Sequence, residues 1–254
     1  MEQELIKPIV KVGNSAGVVL PKEWLGGKAK IKLVKKPINI KKDVLEILAA
    51  YLYDVQGIYL VGSYAREEQT DKSDVDVLVI TNKTNKKIEQ GKYNLILISK
   101  EQVENSLRNN VLPLLPMLKE AKVVLNAELI VGYKKTGLTK RNLKFHIETT
   151  KSAMRVDKES IEIKEEENES ISDNIMYSLV LRLRELYIVD CLIKNKKLTT
   201  KGFLELVKTI VGSIEPYNSY LRSKNKNKVK KVVSVNEARK IYDYIIKNID
   251  KQIK

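Results

Sequence analysis

The pair Gly62-Ser63 stands ten residues ahead of Asp74-Val75-Asp76, and an apolar run meets each end of the stretch: Ile58-Tyr59-Leu60-Val61 before it, Val75-Asp76-Val77-Leu78-Val79-Ile80 across its close. Both runs are short and β-prone. The Gly-Ser between them reads as a tight turn entering a helix, where free backbone N–H groups and the local dipole favour a triphosphate. Side chains alternate across a pleat, so Asp74 and Asp76, two apart, are expected on one face of the returning strand. Hard Mg²⁺ takes oxygen ligands in octahedral geometry and keeps waters and substrate phosphates in its remaining positions. Two carboxylates facing a phosphate-binding turn suit it, so these residues predict a metal–nucleotide site.

Residues 58–80 resemble the nucleotidyltransferase superfamily of the DNA polymerase β type, above all its minimal members, whose pattern is Gly-Ser, ten residues, Asp-x-Asp. The resemblance covers about residues 43–132. It implies a mixed β-sheet with flanking helices and transfer of a nucleoside monophosphate, AMP being the favoured group, from an NTP to a hydroxyl of a protein or small molecule. Mg²⁺ or Mn²⁺ would be the cofactor. Carried over by position, Asp74 and Asp76 are the catalytic, metal-binding acids. Gly62, Ser63, Arg66 and Ser73 are the nucleotide-binding residues. One position departs from the pattern: the third carboxylate expected on the next strand, Lys92 to Ile98, aligns best with Asn94. An amide is not a base, so its presence threatens chemistry more than nucleotide binding. Glu89 or Glu101 takes the role if the register differs.

The first forty residues form a different object. Ile9 to Val12 alternates, Gly13-Asn14-Ser15 makes a turn, Val18-Val19-Leu20 follows, and Pro21-Lys22-Glu23 starts a helical turn; residues 28–34 alternate again with Lys outward. Three or four short strands cannot bury a core alone, so pairing with a second copy is expected. The run over residues 5–36 resembles the swapped-hairpin DNA-binding domains of the AbrB, MazE and SpoVT type. That resemblance implies a homodimer or higher even oligomer contacting DNA through Lys7, Lys11, Asn14, Ser15 and Lys22, in the manner of toxin–antitoxin operons.

The chain has 254 residues, a formal charge of +15 and a pI near 9.5. A polyanion would be attracted and binding would weaken with salt; Lys is nonetheless spread through all segments, and abundant Lys and Glu also fit a heat-adapted organism. The single Cys191 excludes an internal disulfide and, with one His, excludes a zinc cluster, a Cys-His catalytic pair and a haem attachment motif. No N-terminal signal is read, and Ile175 to Ile193 is interrupted by Arg182, Arg184, Glu185 and Asp190, so the expectation is a soluble cytoplasmic protein without a membrane partner.

Residues 35–42 read as a linker, followed by a helix over 44–53 capped by Asp43 and another over 100–108 capped by Ser99. Residues 111–118 and 121–125 read as a closing helix and last strand. Beyond Thr139, apolar residues recur at three- and four-residue spacing over 142–157, 172–194, 200–211 and 235–249, a helical-bundle pattern. The acidic 165–169 reads as a solvated loop or helix start, and the basic 222–231 as a mobile loop. The bundle is loosely similar to the helical domain that follows many such nucleotidyltransferases, found in kanamycin nucleotidyltransferase and in HEPN proteins. Arg141 and His146 meet the HEPN ribonuclease spacing, but they fall at the start of the first bundle helix, and plain surface placement is the expectation. The predicted fold class is multidomain α+β: a β swapped-hairpin module over 1–36, a linker over 37–42, a mixed-sheet α/β nucleotidyltransferase domain over 43–132 and an α-helical bundle over 139–254.

Overall fold

The computed structural model describes residues 4–34, 38–71, 73–224 and 233–253. Part of the expected linker (35–37) and most of the basic run (225–231) lie outside the described residues. The chain divides into two units, Met1–Asn39 and Ile40–Lys254.

In the first unit, β1 (Ile9–Val12) and β2 (Ser15–Val18) pair antiparallel with Val12 opposite Ser15, leaving Gly13-Asn14 as a two-residue loop. Gly13 adopts φ +57°, the left-handed backbone that such hairpin turns demand. A 3-10 turn over Lys22–Trp24 follows, with Trp24 half-buried. Residues 28–34, expected as a further strand, form none. Alternation supplies a face, but a strand also needs a ladder partner, and none is present among the described residues. No residue of 4–34 is buried.

The second unit opens with α1 (Ile40–Ile47), four residues earlier than the start at Val44 that a cap at Asp43 suggests, and a 3-10 segment over Ala49–Asp54 replaces the remainder of the expected helix. Asp43 instead accepts a 2.5 Å hydrogen bond from the Tyr93 hydroxyl. Then come β3 (Val55–Val61), the helical turn α2 (Gly62–Arg66), β4 (Val75–Thr81), β5 (Lys86–Gln90), β6 (Tyr93–Ser99), α3 (Lys100–Arg108), α4 (Leu115–Glu120), β7 (Lys122–Leu125) and α5 (Ala127–Lys134). The sheet runs β5-β6-β4-β3-β7, parallel only between β4 and β6.

The apolar run of β4 explains its central place. Val75, Val77 and Val79 pack beneath Val44 and Leu48, whereas Leu78 and Ile80 pack with Val103, Leu118 and Ile130 from α3, α4 and α5. A strand covered on both faces reads as a continuous hydrophobic run, each fully buried side chain contributing about 1.5–3 kcal/mol. By the same alternation Asp76 belongs to the face of Leu78 and Ile80. β5 escaped the sequence reading because it is a charged edge strand, Lys86-Lys87-Ile88-Glu89-Gln90, whose side chains discourage further pairing.

The helical part comprises α6 (Lys140–Glu166), α7 (Asp173–Ile193), α8 (Thr200–Val211), α9 (Glu215–Lys224) and α10 (Val235–Ile249). Met154, Ile161, Met176, Leu179, Leu183, Ile241 and Ile245 centre its core. Thr139 and Asn142 form the box that starts α6, which runs on through the acidic 165–166. α9 was not expected: its Arg222, at the head of the presumed mobile loop, is buried between Asp173 and Glu215 at 2.9 and 2.6 Å. Val111, Leu112 and Leu115 pack against Val189 of α7, so sheet and bundle share a seam. Among the described residues no helix is long and apolar enough to cross a membrane.

Candidate active site

β3 ends at Val61, which pairs with Asp76 of β4, and Asp76 in turn lies level with Asn94 of β6. Three neighbouring strands therefore bring Gly62, Asp76 and Asn94 to one edge of the sheet. Gly62 has φ +69°, and a Cβ built there would lie 2.6 Å from Asp76 Oδ2 and 3.3 Å from its Cβ. Glycine is required twice over, by the left-handed backbone and by the carboxylate lying against it. The turn and the acid read from sequence as confronting one another are in contact.

Asn94 Nδ2 donates to Asp76 Oδ1 at 3.0 Å, which fixes the carboxylate from the other side. Asn94 Oδ1 is buried without a hydrogen-bond partner. Glu89, the suggested substitute, pairs with Asn94 across the β5–β6 hairpin yet is exposed and bound to Lys87 at 2.5 Å, and Glu101 is exposed in the first turn of α3. Asp74 stands just ahead of β4 and is exposed; Asp76 is half-buried. The half-buried Ser63 receives, on its carbonyl, the Glu68 N–H at 2.9 Å, closing the α2 turn. Ser73 shapes its own loop: its hydroxyl accepts the Thr70 N–H at 2.9 Å and its N–H donates to the Thr70 carbonyl at 3.0 Å.

Arg66 lies beneath the turn in an ion-pair chain. Its Nη1 donates to Glu120 Oε2 at 2.6 Å and its Nε to Glu68 Oε2 at 2.9 Å, with the three side chains 13–22% exposed. Burial acts to lower the guanidinium pKa, but the two carboxylates outweigh it and raise the value. Glu120 Oε1 accepts the Gly62 N–H at 2.7 Å. Sequence reasoning missed Glu120 and Glu68 because their roles arise from distant contacts: Glu120 arrives through the pairing of β7 with β3, and no local spacing announces it.

Among the described residues no three His, Cys, Asp or Glu side chains are grouped to hold a metal ion. The hard-oxygen donors at this edge are the half-buried carboxylate of Asp76 and the exposed carboxylate of Asp74 two residues before it. They fit Mg²⁺ or Mn²⁺ with water and phosphate oxygens filling the remaining positions.

The other predicted residues stand apart from this edge. Lys7, Lys11, Asn14, Ser15 and Lys22 are all exposed on the first unit. Arg141 is exposed and donates to Asn109 Oδ1 at 2.8 Å, whereas His146, expected at the surface, is 3% exposed inside the bundle beside Thr150. Burial pushes the His146 imidazole down to about 4, against a smaller opposing effect of Gln252. The spacing thus arises from a packed histidine and a solvated arginine.

A solved structure described as a nucleotidyltransferase-like protein from Exiguobacterium sibiricum 255-15 is similar at 14% identity and a TM-score of 0.37, over 83% of this chain and 73% of that one. No curated protein matches the chain. The family model described as "Nucleotidyltransferase domain" matches residues 40–182, more than half of the sequence, and takes in the whole Gly62–Asp76–Asn94 edge. The chain belongs to the nucleotidyltransferase-domain family.

Proposed function

We propose that this protein transfers a nucleoside monophosphate, with AMP the expected group, from an NTP to a hydroxyl of a protein or small molecule. The observation that carries the reading is the contact of Gly62 with Asp76, which sets a phosphate-binding turn against a carboxylate. Asp74 and Asp76 would hold Mg²⁺ or Mn²⁺, which when bound neutralises charge developing on the phosphates. Ser63 binds the triphosphate at the head of the turn. The acceptor oxygen attacks the α-phosphorus in line, the bond to the bridging oxygen breaks, and pyrophosphate leaves along Ser63. Asn94 orients Asp76 but cannot accept the acceptor's proton, which passes to solvent or to a phosphate oxygen. Arg66, engaged by Glu68 and Glu120, shapes the turn and would meet phosphate once nucleotide enters. The first unit, without a buried residue over 4–34 and carrying Lys7, Lys11, Asn14, Ser15 and Lys22, pairs with a second copy and tethers the enzyme to DNA.

The amide at Asn94 favours a second reading, a DNA-bound regulator that keeps the nucleotide fold as a sensor without turnover. Labelled ATP with Mg²⁺ and a cell lysate decides between the two. A labelled product that disappears in Asp74→Ala/Asp76→Ala establishes transfer; saturable nucleotide binding with no product establishes the sensor.

A further inference from the structure

We propose that Glu68 is a positioning residue for nucleotidyl transfer, tying the first turn of α8 to the glycine that faces Asp76. Its two carboxylate oxygens accept the Thr200 N–H at 3.0 and 3.1 Å, and Oε2 also accepts the Thr200 hydroxyl at 2.8 Å. The same Oε2 receives Arg66 Nε at 2.9 Å, Arg66 Nη1 reaches Glu120 Oε2 at 2.6 Å, and Glu120 Oε1 takes the Gly62 N–H at 2.7 Å. An unbroken series of hydrogen bonds thus runs from the helical bundle, 132 residues further along the chain, to the backbone of the nucleotide turn.

Charge explains why the series holds together. Two carboxylates flank one guanidinium, and the surplus negative charge is placed on Glu68, where the N-terminal end of the twelve-residue α8 offers a free N–H and a favourable dipole. Burial works to raise the Glu68 pKa, yet Arg66 and Thr200 bring it below the ordinary value, in keeping with a permanently charged link. Gly62 needs such a link. Its left-handed conformation and its contact with Asp76 leave no side chain to hold it, so the Glu120 carboxylate on its N–H defines where the turn lies relative to the acid. Outer-shell partners of this kind alter affinity or activity by about 10–100-fold when removed.

The functional half of this inference rests on the nucleotidyltransferase reading; the structural half does not, and the test keeps them apart. Glu68→Gln preserves length and volume but surrenders the charge. Amide exchange at Gly62, followed by NMR, should quicken about tenfold in this variant while buried amides of β4 keep their rates. The KM for ATP should rise about tenfold with kcat changed less. Thr200→Val should give a smaller effect of the same kind, and the double variant should be no worse than Glu68→Gln alone, since both act through one series. Gly62 exchange at the wild-type rate in Glu68→Gln overturns the link. Faster exchange with an unaltered KM overturns the positioning role. A wild-type protein that transfers no nucleotide removes the activity reading, while Gly62 exchange still decides whether the bundle governs the turn.

Discussion

Residues 4–34 contain no buried side chain, whereas β4 alone has six of its seven residues buried. Both segments are rich in Val, Leu and Ile. The difference teaches that hydrophobic content decides little until the chain provides something to pack against. β4 has α1 on one face and α3, α4 and α5 on the other; the β1–β2 hairpin leaves Ile9 and Val12 about half exposed, at 50% and 57%. Sheltered neighbours also allow β4 to hold an acid in fixed geometry, while the hairpin, with Lys11 its one cation, holds no side chain away from solvent.

Experiments that break this contrast can be ranked. The largest effect is expected at the protected edge: Asp74→Ala/Asp76→Ala should abolish nucleotide transfer in the labelling assay with the fold intact by circular dichroism. Leu78→Ala, in the middle of the covered strand, should cost about 2–5 kcal/mol in urea unfolding. Gly62→Ala should cost about 1–3 kcal/mol in the same measurement, because a methyl group strains the φ +69° backbone and collides with Asp76, and nucleotide binding by calorimetry should fall with it.

Acid should next expose the buried histidine. The folded His146 value of about 4 lies below its ordinary 6.5, so the unfolded chain binds the extra proton. Stability from this group is full above pH 6.5 and is lost as pH falls toward 4, about 2 kcal/mol of it between pH 7 and pH 5. Denaturant curves at the two pH values should show this slope, and His146→Gln should flatten it. The smallest effect belongs to the first unit. Ile9→Ala should move the unfolding of the second unit by no more than about 0.5 kcal/mol. Val12→Asp, by contrast, should convert an even oligomer to monomer in sedimentation if a second copy covers the hairpin.

What was legible in the sequence was what local chemistry dictates. The Gly-Ser turn and Asp76 could be read because two strands and a glycine must coincide at fixed spacing, and the bundle helices because apolar residues repeat with the helical period. The cap at Ser99 is likewise short-range. Contacts across the sheet and bundle were not legible: Glu120, Glu68 and Thr200 meet only after β7 joins β3 and α8 docks. β5 and α9 stayed hidden because their polar residues mask periodicity. Arg222 misled as part of a charged run, since a guanidinium satisfied by Asp173 and Glu215 can be buried as well as any apolar side chain. His146 misled in the same direction, one imidazole near one arginine carrying no information about depth.

The 3-10 turn of the first unit holds Trp24, the single tryptophan of the chain, and all twelve tyrosines come after residue 50. Nature has in effect placed separate dyes in the two units. Indole emission excited at the red edge, where tyrosine does not absorb, therefore reports on the hairpin unit alone, without attaching any label.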